Sequence, residues 1–325
     1  EDYGFSNIRS LVANQFDVTQ DQENNSTYIS INTDEYTIEN MFEIDGIFYL
    51  DTFNTEIESS NGDINLKIKL SEENNTVDYN YIEGTDDGEI INGTDQADII
   101  SGGKGDDFIY AKAGDDILIQ SASGKQYFDG GDGIDTYEMH HENWTTVPEG
   151  FIGAVELLTN FSGSHYDRDN PLSDTVINIE NVTLFGDIDY IINGDNNDNV
   201  IESDGGNDIL YGGDGNDVLT SGAGDDEIYG EGGNDTLIHN GSGAQIFDGG
   251  EGIDTYEMHQ QNWTTAPEGY VGEVDLSTEF SGSYFNKEHP SSDRVIDIEN
   301  VTHYGKEDYI IRGDDGDNVI KSDAG

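Results

Sequence analysis

Aspartate returns every ninth residue between Ser203 and Ile238. Cut at that period, the stretch reads SDGGNDILY, GGDGNDVLT, SGAGDDEIY and GEGGNDTLI, with Asp208, Asp217, Asp226 and Asp235 at position six. Position four is glycine each time (Gly206, Gly215, Gly224, Gly233) and position eight is aliphatic (Leu210, Leu219, Ile228, Leu237). Glycine allows the positive backbone angles of a tight loop. The three residues after each aspartate are extended, and alternation along a strand turns only the middle one inward. Two nonapeptides then make one turn of a flattened coil, with loops stacked along both edges. Stacked strands lie about 4.8 Å apart, and two carboxylates at about 5 Å repel by roughly 3 kcal/mol at an effective dielectric near 20. A hard divalent cation reverses that sign. Calcium takes six to eight oxygens from carboxylates and backbone carbonyls, and such loops offer both.

The same register begins near residue 84. GTDQADIIS (93–101), GGKGDDFIY (102–110) and AKAGDDILI (111–119) place Asp98, Asp107 and Asp116 at position six. The rung 84–92 carries Glu89 there, a weaker fit, and 120–128 carries Lys125, which argues against a metal contact at that loop. GGDGIDTYE (130–138) restores the pattern with Asp135. Residues 88–206 align without a gap with 207–325, an offset of 119, so that FDGGDGIDTYEMH at 128–140 matches FDGGEGIDTYEMH at 247–259 and Asp254 is the counterpart of Asp135. What one unit does, the other is expected to do. In each unit about 50 residues leave the nonapeptide, from Tyr137 to about Phe185 and from Tyr256 to about Tyr304. VELLTNFSG and DTVINIENV read there as longer strands of an irregular turn. The coil resumes with Asn199 and Asn318 at position six, where a neutral amide weakens a calcium site.

The repeat resembles the RTX nonapeptide GGxGxDxUx, and the resemblance covers residues 84–325. It implies an all-β fold, a parallel β-roll or β-solenoid in two tandem units (84–206 and 207–325), and several calcium ions as cofactor. Metal ligands are expected at Asp98, Asp107, Asp116, Asp135, Asp208, Asp217, Asp226, Asp235 and Asp254. Each is shared between loops two nonapeptides apart, with carbonyls of Gly102, Gly105, Gly212, Gly215, Gly222, Gly224 and Gly233 among those that complete the sphere. RTX-like sequences carry a similar GGDGIDT…VDL…IENV interruption, through which the solenoid continues. Ile100, Ile109, Leu118 and their counterparts fill a thin core, so metal binding and folding are expected to be one event.

RTX-like proteins include adhesins, pore-forming toxins, secreted enzymes and surface-layer proteins, usually exported by type I secretion. This chain looks most like a region of a large bacterial adhesin, secreted or displayed at the cell surface. One alternative is a self-assembling, calcium-dependent surface-layer or filament subunit. Another is the non-catalytic carrier domain of a secreted toxin or hydrolase.

Composition narrows the partners. With 70 acidic against 12 basic side chains and a formal charge of −58, nucleic acid and anionic membrane are excluded as electrostatic partners. Such acidity puts the metal-free chain near disorder. No cysteine is present to form disulfides, a role that calcium, millimolar outside cells, can take. No run of 18 apolar residues suggests a transmembrane helix. The chain starts with glutamate and shows no signal peptide, which reads as an internal or processed piece of a longer protein.

Catalysis is not expected. His140-His141-Glu142 lacks the HExxH spacing, and no GxSxG elbow exists. His140 and His259, both after Glu-Met, read as turn packing. Contact with a surface glycan or a protein is placed at Trp144 and Trp263, each an aromatic platform in an Asn-Trp-Thr-Thr loop; the competing reading has each tryptophan sealing the irregular turn. Phe108 and Tyr110 on one face, and Ile99, Ile117 and Ile119 on the other, are expected as exposed strips that could pack against neighbouring copies.

Residues 1–83 hold no nonapeptide. Ile8, Leu11, Val12 and Phe16 are spaced for one face of a short helix capped by Ser6. Strands are expected from Tyr28, around the Asp45-Gly46 and Asn61-Gly62 hairpin signals, through the alternating Ile64, Leu66, Ile68 and Leu70, to Ile82. A small antiparallel β-sandwich or an N-terminal cap for the solenoid follows.

Overall fold

The computed structural model describes residues 16–21, 26–31, 41–44, 47–50, 53–58, 68–72, 75–120, 124–140, 151–164, 173–259, 271–283, 293–305 and 308–323. Contacts divide the chain into Glu1–Ile82 with Gln96–Ile99, and Glu83–Asp95 with Ile100–Gly325.

The first unit is antiparallel. Phe16–Asp21 pairs with Ser26–Ile31, Met41–Ile44 with Ile47–Leu50, the latter with Phe53–Glu58, and Ile68–Glu72 with Asn75–Glu83. Ile44 faces Ile47 across Asp45-Gly46, the register a two-residue hairpin loop requires. Phe16 opens a strand instead of completing a helical face, because FDVTQD alternates apolar and polar residues with period two. Ile8, Leu11, Val12, the Asn61-Gly62 turn, Ile64 and Leu66 lie outside the described residues.

The second unit is a coil of short parallel strands. One face carries, in order, Ile117–Gln120, Thr136–His140, Asn181–Phe185, Val200–Glu202, Val218–Thr220, Thr236–His239, Thr255–His259, Asn300–Tyr304 and Val319–Ser322, each parallel to the one before. The other face runs Ile90–Asn92, Phe108–Ala113, Tyr127–Asp132 and Thr175–Ile177. It continues as Gly153–Glu156, Tyr190–Asn193, Ile209–Asp214, Glu227–Gly233, Ile246–Asp248 and Arg294–Ile296. Val271–Asp275 then pairs with Asp308–Arg312.

The irregular stretch after Tyr137 thus stays within the coil. VELLTNFSG is not one long strand but a hairpin, Gly153–Glu156 folding back antiparallel onto Phe161–Ser164. Asn160 turns it, with φ 58°, while the Thr159 hydroxyl holds Glu156 Oε2 at 2.7 Å. Ser162 bridges in turn to Asp174, at the head of Thr175–Ile177, so an antiparallel strand is wedged into a parallel stack. The second copy repeats this at Phe280–Ser283 and Asp293.

The core is a single column. Ile100, Ile109, Leu118, Leu210, Leu219, Ile228 and Leu237 have no exposed surface, and Phe128, Tyr137, Phe247 and Tyr256 continue it where the rungs widen. Close stacking leaves no space at the turns. A Cβ on Gly233, whose φ is +140°, would lie 1.4 Å from the Gly215 carbonyl.

The outward strips are only partly as expected. Phe108 is 48% exposed, but Ile117 and Ile119 are buried. The strand Ile117–Gln120 is covered on both faces, as is most of its neighbour Thr136–His140, so alternation there does not separate core from solvent. On the opposite face the aromatics pack along the stack. Tyr127 sits 5.7 Å from both Phe108 and Tyr110, and Tyr211 stacks on Tyr229 at 5.1 Å, contacts each worth roughly 0.2–1 kcal/mol.

Candidate metal centres

Each turn of the coil brings position six of one loop onto position six of the loop 18 residues later. The backbone N–H of one donates to the inner carboxylate oxygen of the next: Asn199 to Asp217 Oδ1 at 2.7 Å, Asp217 to Asp235 at 2.8 Å, and Asp208 to Asp226 at 2.9 Å. Glu89 donates to Asp107 at 2.8 Å and Tyr190 to Asp208 at 2.8 Å. Across 19-residue turns Asp116 donates to Asp135 at 2.8 Å and Asp235 to Asp254 at 2.8 Å. An outer ladder at position five runs beside it. Asn216 N–H donates to Asp198 Oδ1 and Asn234 N–H to Asn216 Oδ1.

The second carboxylate oxygen is treated differently. Oδ2 of Asp107, Asp135, Asp217, Asp235 and Asp254 is buried with no hydrogen-bond partner. Its surroundings are more oxygen. A Cβ placed on Gly212 would meet Asp217 Oδ2 at 2.3 Å and the Gly230 carbonyl at 2.7 Å; on Gly230 it would meet Asp235 Oδ2 at 2.3 Å and the Gly249 carbonyl at 2.5 Å. Acceptors therefore converge on the space over position one, and no donor answers them. Buried acceptors in that state cost free energy unless a cation joins them. Among the described residues no three acidic or histidine side chains meet at one point, so an ion held here draws much of its shell from backbone carbonyls. That donor set, all hard oxygen and few side chains, suits calcium.

Burial drives the acidity the same way. It pushes the Asp208 carboxyl up to about 8 and those of Asp135 and Asp217 up to about 7, with neighbouring carboxylates adding to the rise. Asp226 and Asp254 rise to about 6, and Asp235 rises as well, again chiefly through burial. Without a metal these carboxyls give up their protons less readily than a free aspartate. A bound cation takes the proton's place and supplies the missing positive charge.

The other expected site residues are placed as follows. Asp116 lies fully buried in the same ladder, and Asp98, also buried, accepts from the Asn80 amide at 2.9 Å. The backbone of Gly105 and Gly215 has positive φ, as have Gly222 and Gly233. A Cβ on Gly224 would sit 1.6 Å from the Gly206 carbonyl, and one on Gly102 would lie 2.7 Å from Asp107 Oδ2. Glu89 turns its carboxylate to the Thr85 N–H of its own loop at 2.7 Å, while Asn199 Oδ1 accepts from the Asp195 N–H at 2.9 Å and its amide donates to the Glu180 carbonyl, 19 residues back, at 2.8 Å. His140 and His259 are strand residues beside Glu138 and Glu257 at 3.3 and 3.1 Å. Trp144 and Trp263 lie outside the described residues.

One register assignment is corrected. Lys125 does not stand at position six. Phe108 pairs with Tyr127, so this turn holds 19 residues, and the extra one moves Gln126 into the ladder. Four acidic residues also escape the nonapeptide pattern. Glu180 and Glu299 accept the N–H of Asp135 and Asp254 at 2.8 and 2.7 Å, 45 residues away in sequence. Asp174 and Asp293 accept from Gln126 and Gln245 at 2.8 and 3.0 Å, 48 residues away. No fixed period finds them. The 119-residue repeat could have, since both copies carry them in matching positions.

Stacked glycine-rich turns with inward carboxylates on a parallel two-faced coil define a calcium-binding β-roll. Comparison of the sequence with known families agrees: residues 83–118, 191–219 and 202–237 match the RTX calcium-binding nonapeptide repeat (4 copies). The chain carries RTX repeats, and such repeats bind calcium. No curated protein matches the chain as a relative.

Replacing Asp217 by alanine removes one partner of the Asn199 N–H and one oxygen of a cradle at once. The calcium concentration at the folding midpoint should rise several-fold, as read by circular dichroism. An unchanged midpoint would take Asp217 out of the metal shell.

Proposed function

We propose that this chain is a non-catalytic structural or adhesive module of a bacterial surface protein, exported unfolded and locked by calcium outside the cell. The observation that carries the reading is the set of buried carboxylate oxygens without donors at Asp107, Asp135, Asp217, Asp235 and Asp254. A coil built around them is unfavourable where calcium is scarce and folds where it is millimolar, as a secreted spacer requires. The charge of −58 disfavours nucleic acid and anionic lipid as partners. Among the described residues no helix is long and apolar enough to cross a membrane. Contact with a glycan or a protein belongs, in this reading, to the loops bearing Trp144 and Trp263.

A calcium titration of the purified chain tests it. Extracellular calcium modules bind at about 10⁻⁴ to 10⁻³ M, and the folding midpoint should fall in that window. A chain already folded at sub-micromolar calcium would end the idea that export and folding are separated by calcium. Sedimentation in saturating calcium then distinguishes a monomeric display module from a surface-layer or filament subunit, which would form growing particles instead.

A further inference from the structure

One ladder position in each 119-residue unit is held by a glutamine, Gln126 and Gln245, both 1% exposed. In the second copy the Gln245 amide nitrogen donates to the Gly222 carbonyl at 3.0 Å and to Asp226 Oδ2 at 3.0 Å. In the first copy the Gln126 amide nitrogen donates to the carbonyls of Gly105 at 3.1 Å and Gly103 at 3.4 Å. These partners are acceptors only, which fixes the nitrogen, and not the oxygen, as the atom that faces them.

They are also the kinds of oxygen that stand unanswered elsewhere in the ladder, loop carbonyls and an aspartate Oδ2. Asp226 differs from Asp217, Asp235 and Asp254 in this respect, since its second oxygen has a donor. We infer that Gln245 stands in for a calcium ion, its amide filling with two N–H groups the place a cation takes at the neighbouring turns; Gln126 answers loop carbonyls only, and its Oε1 and Asp107 Oδ2 both stay without a donor. The inference rests on the calcium-locked reading and refines it: in the second unit the ion row is broken by a joint that needs no metal. A glutamine side chain is longer than an aspartate and reaches across to the preceding loop.

The joint is held at its far side as well. The Gln245 N–H donates to Asp293 Oδ1 at 3.0 Å, and Asp293 Oδ2 lies 3.4 Å from His239 Nδ1, which also contacts the Tyr256 hydroxyl at 2.8 Å. In the first copy Gln120 replaces that histidine and donates to Asp174 Oδ2 at 2.8 Å. Both copies brace the far side of this turn with side-chain hydrogen bonds, while Oε1 of Gln126 and Gln245 has no donor.

Counting bound calcium by native mass spectrometry on the full chain tests the assignment. Gln245→Glu keeps the size, removes the donor and adds a carboxylate beside Asp226, and it should bind one ion more than wild type. Gln245→Met removes the amide without adding a ligand and should bind the same number as wild type. A Gln245→Glu count equal to wild type, or a Gln245→Met count one lower, would mean that the glutamine oxygen already ligates an ion, and would overturn the inference. Should the glutamate variant fail to fold, the methionine count decides alone. Wild-type protein that binds no calcium would instead sink the calcium-locked reading itself, so the two failures are distinct.

Discussion

Chelation is expected to abolish the fold of residues 84–325. In excess EDTA the far-ultraviolet β signal should collapse and the near-ultraviolet signal of the buried Tyr137 and Tyr256 should vanish, both returning when calcium is restored. The core explains the size of the effect. The rungs between Ser203 and Ile238 each contribute one fully buried aliphatic residue to the column, Leu210, Leu219, Ile228 and Leu237, and burying such a side chain is worth about 1.5–3 kcal/mol. Ordering the nine residues of a rung costs on the order of 1–2 kcal/mol for each backbone. Backbone pairing and cross-strand contacts narrow that gap, while bare buried carboxylates widen it. A site at 100 times its dissociation constant adds about 2.7 kcal/mol, so five would add on the order of 13 kcal/mol. That equals the whole stability of a typical domain, about 5–15 kcal/mol. A coil that kept its tyrosine signal after exhaustive chelation would refute this view of its stability.

The metal-free chain should gain structure as the pH falls from 8 to 5, the reverse of ordinary acid denaturation. Burial holds Asp208 and Asp293 up to about 8 and Asp135, Asp174 and Asp217 up to about 7. In the unfolded chain an aspartate titrates near 3.9. Between those values the folded state binds protons that the unfolded state has released, so stability falls with rising pH. It is fully present below the unfolded value and is lost as the pH climbs through about 7–8. Each such group contributes a slope of about 1.4 kcal/mol per pH unit inside that window.

Calcium competes for the same oxygens. Binding should release protons, measurable as a dependence of the titration heat on the ionisation enthalpy of the buffer, and half-saturation at pH 6 should need at least about tenfold more calcium than at pH 8. Equal calcium midpoints at the two pH values would contradict the burial of ionised carboxylates. Relief of the overall negative charge acts in the same direction, and Asp217→Asn separates the two. It changes the net charge by one unit yet removes a strongly shifted group, so it should flatten the slope visibly.

Much of this was legible in the residues alone. A nine-residue period with glycine, aspartate and an aliphatic side chain in fixed phase leaves one simple solution, because a strand alternates its side chains and only glycine tolerates stacking as close as that of Gly233 under Gly215. The two-faced coil, the buried column at position eight and the inward carboxylates follow from local rules repeated many times. The duplication at an offset of 119 was equally plain.

What only the tertiary structure decided lies where the period breaks. Glu180, Glu299, Asp174 and Asp293 join the ladder from 45 or 48 residues away, a separation that no nine-residue period reaches across an irregular stretch. The one-residue expansion at Gln126 is invisible in a register counted forward, since nothing local distinguishes it from Lys125; pairing of Phe108 with Tyr127 does. Burial of Ile117 and Ile119 likewise depends on what covers a strand, which alternation cannot report. Periodic sequence encodes periodic contacts, and contacts made across an interruption are set by the closed path of the chain.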